Sequence, residues 1–204
     1  MGYRRNKSNF KKYFGVTKTA AEDLCQLFYR NHKLPCLILK TSRFFPEEDD
    51  KKSMRDLYED ENVKVNEYLY RRVDIEDAVT AHLLAIEKAA EIGFGKYIIS
   101  ATSPFTKSDL ISLRNDAPNV VAKLFPDYEE IYRLKSWKMF PEIDRVYINE
   151  KARTELGWKP KFDFRYALDC IKNGNDFRSE LSKLVGTKGY HSEVFEHGPY
   201  PVNE

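Results

Sequence analysis

Two short apolar runs set the frame. Leu34-Pro35-Cys36-Leu37-Ile38-Leu39 is bounded by a proline and by Thr41-Ser42. A run this short and apolar reads as a strand buried on both faces, as a parallel sheet requires. Tyr97-Ile98-Ile99-Ser100 is the second such run. Parallel strands need a crossover of a dozen or more residues between them, and the intervening segment supplies it. Asp74-Ile75-Glu76-Asp77 opens a long helix, with Asp74 as N-cap and carboxylates in the first turn. Its apolar residues Ala78, Val79, Ala81, Leu83, Leu84, Ala85, Ile86 and Ala89 wrap most of the way round, so the helix is expected to be largely buried. Gly93 and Gly95 are expected to end it. His82 within it reads as a packing histidine rather than a ligand.

Ahead of the first strand, Val16, Ala20, Leu24, Leu27 and Phe28 recur at spacings of three and four, which predicts an amphipathic helix to about Arg30. Arg4, Arg5, Lys7, Lys11, Lys12 and Lys18 all precede the first acidic residue, Glu22; residues 1–12 read as a solvated basic tail. Glu47 to Glu67 is highly charged and weakly patterned, and reads as a surface loop with a short helix. A consecutive acidic run there is expected to be a solvated face rather than a metal site. Tyr68 to Val73 and Val146-Tyr147-Ile148 look like strands. Thr106 and Asp109 have capping-box spacing before a helix through Leu113. Asn149-Glu150 begins a helix that Leu156-Gly157 closes, and Phe164 to Ile171 forms a last amphipathic helix. Residues 174–204 read as a Gly-, Pro- and aromatic-containing tail.

A net charge of +2 argues against a dedicated nucleic-acid binder. No stretch approaches the roughly 18 apolar residues of a membrane span. Cys25, Cys36 and Cys170 carry no metal-ligand or CxxC spacing, which fits a cytoplasmic chain with reduced thiols and no metal site.

Four blocks, in order, carry a family resemblance. Phe14-Gly15-Val16-Thr17-Lys18-Thr19-Ala20-Ala21-Glu22 resembles a Tyr-Gly-x-x-Lys-x-Ala-Ala-Glu helix start. Leu39-Lys40-Thr41-Ser42-Arg43 is similar to a strand and its substrate-facing turn. Tyr70 to His82 resembles a strand leading into an Asp-Val-Ala-x-Ala-His type helix, and Asn149 to Pro160 a Lys-Ala-x-x-Glu-Leu-Gly-Trp-x-Pro block. Together they resemble the extended short-chain dehydrogenase/reductase family, the NAD(P)-dependent nucleotide-sugar epimerases and dehydratases, over residues 13–173. The resemblance implies an α/β fold: a partial Rossmann-like parallel sheet (about 13–45 and 74–101) with a small substrate-binding subdomain (about 46–73 and 102–173).

In that family a tyrosine, helped by a lysine one helical turn on, removes a proton from a sugar hydroxyl while hydride passes to the nicotinamide. An ammonium is needed because a phenol of pKa near 10 is a poor base at neutral pH. By that resemblance Lys18 is a catalytic and cofactor residue, Ser42 a cofactor residue, and Arg43, Arg72 and Arg145 contact the substrate. Three departures weigh against this. Phe14 stands at the tyrosine position, no GxxGxxG precedes it, and no upstream strand carries the partner serine or threonine. Tyr13 is adjacent and is the catalytic candidate only if the helix start slips, since one residue turns a helical side chain by about 100°. Arg71 and Arg72 in a strand would point to opposite faces, and Arg145 has Asp144 or Glu142 as an alternative partner.

The expectation is therefore a truncated epimerase/dehydratase-like protein, with NAD or NADP implied but without autonomous catalysis. Alternatives are a non-catalytic subunit that binds a nucleotide sugar or a protein, or an enzyme completed by a second chain carrying the dinucleotide-binding half. Uncovered sheet edge and helix faces imply a homo-oligomer or a partner chain.

Overall fold

The computed structural model describes residues 13–186, so the basic tail 1–12 and the end of the chain from 187 lie outside the described residues. The order is α1 (Tyr13–His32), β1 (Cys36–Thr41), α2 (Lys52–Leu57), α3 (Asp60–Tyr68), α4 (Ile75–Ile92) and β2 (Phe94–Ile99). A 3-10 turn at Lys107–Asp109 follows, then α5 (Leu110–Asn115), α6 (Ala117–Leu124), α7 (Tyr128–Leu134), α8 (Glu150–Glu155), α9 (Phe164–Lys172) and α10 (Glu180–Val185). β1 and β2 pair in parallel, with Cys36 opposite Phe94 and Thr41 opposite Ile99. The chain is α/β, with the two-stranded parallel sheet of a partial Rossmann-like fold.

Strand alternation divides the sheet into two faces. Leu37, Leu39, Tyr97 and Ile99 meet Ala78, Ala81 and Ala85 of α4, with Leu156 and Trp158 beyond α8. On the other face Glu22 of α1 pairs with Lys40 and Lys96, both at 2.9 Å. Tyr29, stacked on Phe94, lies on the same side. The predicted apolar stripe faces away from the strands, and Val16, Leu24, Leu27 and Phe28 are exposed. α4 is less buried than its sequence implies, since Val79, Leu83 and Ile86 are exposed. β1 is half-buried rather than buried on both faces. Among the described residues no third strand pairs with its free edge.

The local punctuation falls where the sequence puts it. Asp74 Oδ1 accepts from the Glu76 N–H at 2.8 Å, and Thr106 and Asp109 form a reciprocal capping box. Gly93 ends α4 with φ +76°, whereas Gly95 belongs to β2 and pairs with Leu37. Gly157 closes the chain after α8 with φ +71°. α10 forms inside the segment read as a tail.

The second core is helical and overturns the reading of Glu47 to Glu67 as surface. α3 is buried from Asn62 to Tyr68, polar residues included. The chain between α7 and α8 covers it and meets its polar groups. Asn66 Nδ2 donates to Lys138 O (2.9 Å) and Asn66 Oδ1 accepts from Tyr132 (2.7 Å). Asn62 Oδ1 accepts from the Lys138 N–H (3.0 Å), and Trp137 Nε1 donates to Glu59 (2.9 Å). Buried polar groups persist when each finds a partner, and these partners lie more than sixty residues away in sequence. Tyr68 to Val73 is likewise no strand: Tyr68 ends α3, a turn follows, and one parallel bridge joins Arg72 to Arg43. Val146 to Ile148 runs without a ladder, tied by Tyr147 N–H to Tyr70 O at 2.9 Å.

Candidate binding cleft

Beyond their carboxyl ends the two strands are laced to residues 71–73. Ser42 N–H donates to Ile99 O (2.8 Å), Arg43 N–H to Arg71 O (3.2 Å) and Val73 N–H to Arg43 O (3.0 Å). Ala101 N–H donates to Arg72 O (2.7 Å). Ligands of open α/β sheets bind at such ends. This lacing fixes the backbone at Ser42 and Arg43, and brings Arg71 and Arg72 beside them.

The side chains there form one charge cluster. Glu67, at the end of α3, is fully buried. Its carboxylate accepts from Arg43 (3.3 Å), from Arg71 Nε (3.1 Å) and from Arg72 (2.9 Å). Arg43 also donates to buried Asp49 at 2.5 Å, and Arg72 to Phe45 O at 2.6 Å. Burial works against charge at Arg43, but Glu67 and Asp49 beside it carry its pKa above the ordinary value. Burial likewise opposes the Asp49 carboxylate, yet the Lys51 N–H and Arg43 hold its pKa below the usual range. Both therefore stay ionised, as a paired buried charge must.

This corrects two expectations. The acidic run is not wholly a solvated face, because the turn after β1 folds Asp49 back over Arg43 while α3 delivers Glu67 from the other side. Arg71 and Arg72 do not diverge, because they lie in a turn and both reach Glu67.

A cleft of about 440 Å³ opens over this cluster. Arg43, Arg71 and Lys51 give it cations, Asp50 and Glu142 give it carboxylates, and Tyr58, Tyr70 and Phe140 give it aromatic walls. The Tyr58 and Phe140 rings meet edge to face at 5.1 Å. The Arg71 guanidinium lies 5.3 Å from the centre of the Tyr70 ring. Burial raises the pKa of both Tyr58 and Tyr70, so neither phenol is a base at neutral pH.

The remaining sequence-derived site residues scatter. Tyr13 and Phe14 lie in the first turn of α1, and Lys18, one turn after Phe14, is exposed on that helix. Ser42 is buried and its Oγ has no hydrogen-bond partner among the described residues. Arg145 is exposed and pairs with Asp144 at 3.1 Å. Arg72 is buried within the ion cluster, so of the three arginines only Arg43 lines the cleft.

No protein-family model and no curated protein matches the chain. A solved structure is similar to it in shape. Its title is "Structure of RMD from Pseudomonas aeruginosa complexed with NADPH", with a TM-score of 0.41 and 15% sequence identity. The likeness covers 78% of this chain and 54% of that one, so the chain spans about half the length of the structure it matches. Among the described residues no helix is long and apolar enough to cross a membrane, and no group of His, Cys, Asp and Glu could hold a metal ion.

Sequence reasoning missed Glu67, Asp49, Tyr58, Tyr70 and Phe140. One signal was present for Glu67, which stands four residues before Arg71, a favourable pair wherever the segment is helical. The strand assignment for 68–73 hid it. Phe140 is some seventy residues away, and nothing local points to it.

Proposed function

We propose that the cleft over Arg43 and Arg71 binds a nucleotide sugar, and that the protein is of the NAD(P)-dependent nucleotide-sugar epimerase/dehydratase type without autonomous catalysis. The observation that carries this is the mixed lining of the cleft. A ligand with phosphates, hydroxyls and a flat base asks for cations, carboxylates and aromatic rings together. Arg43, Arg71 and Lys51 suit the phosphates, Asp50 and Glu142 the sugar hydroxyls, and Tyr58, Tyr70 or Phe140 the base. Phe14 has no ionisable group, and burial favours the protonated form of the cleft tyrosines Tyr58 and Tyr70, which supports a binding rather than a catalytic reading of the cleft.

A nicotinamide dinucleotide fits these residues poorly. The unpartnered Ser42 hydroxyl could meet a polar group of it, but among the described residues no glycine-rich turn follows a strand to cradle a pyrophosphate. A second reading, an enzyme completed by another chain, is favoured by the free edge of β1 and the exposed stripe of α1. Light scattering separates the two, since a monomer in dilute solution counts against it.

The test is calorimetric titration with UDP-glucose, NAD and NADP. The expected result is nucleotide-sugar binding that weakens roughly 10- to 100-fold in Arg71→Ala, the worth of a charge-assisted hydrogen bond. Absence of nucleotide-sugar binding, or equal affinity in the variant, removes the proposal. Micromolar dinucleotide binding by the chain alone removes the second half of it.

A further inference from the structure

Cys25 and Cys36 face each other across the packing of α1 on the sheet. The placement follows from the contacts on either side of the pair. One turn before Cys25, Glu22 reaches Lys40 and Lys96. One turn after it, the Tyr29 ring stacks 6.0 Å from Phe94 and fills the space a side chain at Gly93 would need. Phe94 is the register partner of Cys36, whose own N–H donates to Gly93 O at 2.7 Å. Cys36, Ile38 and Lys40 share the strand face that α1 covers. Cys25 is thus held above the start of β1, with its thiol neighbouring that of Cys36. Both are reduced and only partly buried, so a small oxidant reaches them. Cys170 lies on α9 and packs against the helical core instead.

The geometry points to a reversible disulfide site: Cys25 and Cys36 close on each other under a disulfide oxidant and lock α1 onto β1. The exchange is balanced. One thiolate of the pair attacks glutathione disulfide and expels one glutathione thiolate; the other then attacks the mixed disulfide and expels the second. The two cysteines lose two protons and two electrons, and the oxidant is reduced to two thiols. The bond closes a short loop through the turn at Lys33, whose φ is +55°. It ties down the helix that carries Lys18, two turns before Cys25, against the strand that leads to Ser42 and Arg43.

The experiment treats the whole chain with glutathione disulfide, digests it with trypsin under non-reducing conditions, and maps the peptides by mass. The expected product is a cross-linked pair of residues 19–30 and 34–40, lighter than the sum of its parts by two hydrogens and separated by reductant. The unfolding midpoint of the oxidised chain should rise by roughly 5–10 °C, as closing a loop of this size implies. Cys170→Ser should leave both results unchanged, while Cys25→Ser and Cys36→Ser should each abolish them. Overturning results are free thiols at 25 and 36 after treatment, a cross-link through Cys170 or between chains, or a cross-linked product no more stable than the reduced chain.

Discussion

Replacing Glu67 with glutamine tests the buried charge cluster most directly. The side chain keeps its length and one oxygen, but the negative charge goes and an amide donor now faces a guanidinium. Three arginines depend on that carboxylate: Arg72 at 2.9 Å, Arg71 at 2.8 Å and Arg43 at 3.3 Å. A charge-assisted bond exceeds a neutral one by about 1 kcal/mol, so three lose about 3 kcal/mol together. Breaking a buried pair and stranding its partner costs about 3–5 kcal/mol, and the two routes agree. Arg72 dominates, because its side chain is 7% exposed and the carboxylate is its one charged partner among the described residues, whereas Arg43 keeps Asp49. The assay is urea unfolding followed by the fluorescence of Trp137 and Trp158, both buried and so both responsive. A chain of this length should also lose roughly 10 °C of midpoint. Arg71→Ala is the internal control. Its side chain is 35% exposed, and water replaces its bonds at about 1 kcal/mol or less. Refutation is a Glu67→Gln chain within about 1 kcal/mol of the parent, or an Arg71→Ala chain as damaged as it is.

Other consequences follow from single contacts. Asp77 accepts from the N–H groups of Lys161 and Phe162, but burial outweighs those bonds and its pKa rises from 3.8 to about 6. Its contribution to stability is full below about pH 4 and is lost as pH climbs through 6, by about 3 kcal/mol in all; the deficit of Asp77→Asn against the parent in urea melts should therefore shrink between pH 4.5 and 7.5. Gly157 holds φ +71° with open space where a Cβ would sit, so Gly157→Ala should cost about 1–2 kcal/mol through backbone strain alone, read by thermal melting. Asn149→Ala should cost about 1–3 kcal/mol in the same assay, because it strands the buried carbonyl of Ser100, which Asn149 meets at 2.9 Å.

Elements whose signals are local are legible in the chain. The parallel pair can be read from two short apolar runs, α4 from Asp74 and its first-turn acids, the end of α8 from Leu156-Gly157, and α9 from its apolar period. The caps and helix ends depend on contacts within a few residues, so sequence neighbours carry that information. Exposure proved harder to read. The stripe from Val16 to Phe28 is apolar at helical spacing, yet it faces outward, and the opposite side of α1, with Glu22 and Tyr29, meets the strands.

Of the candidate site, the sequence by itself determined Arg43, placed just past a strand's carboxyl end by the run that precedes it. Tertiary structure decided the rest. A charged helix becomes core only when Tyr132, Trp137 and Lys138 arrive to meet Asn66, Glu59 and the side-chain oxygen of Asn62. Glu67 becomes the hub of three arginines only once α3, the turn after β1 and the bridge at Arg72 are brought together. Burying a carboxylate depends on cations; Arg71 and Arg72 stand within five residues of Glu67, but Arg43 comes from 24 residues away and reaches it only in the packed chain.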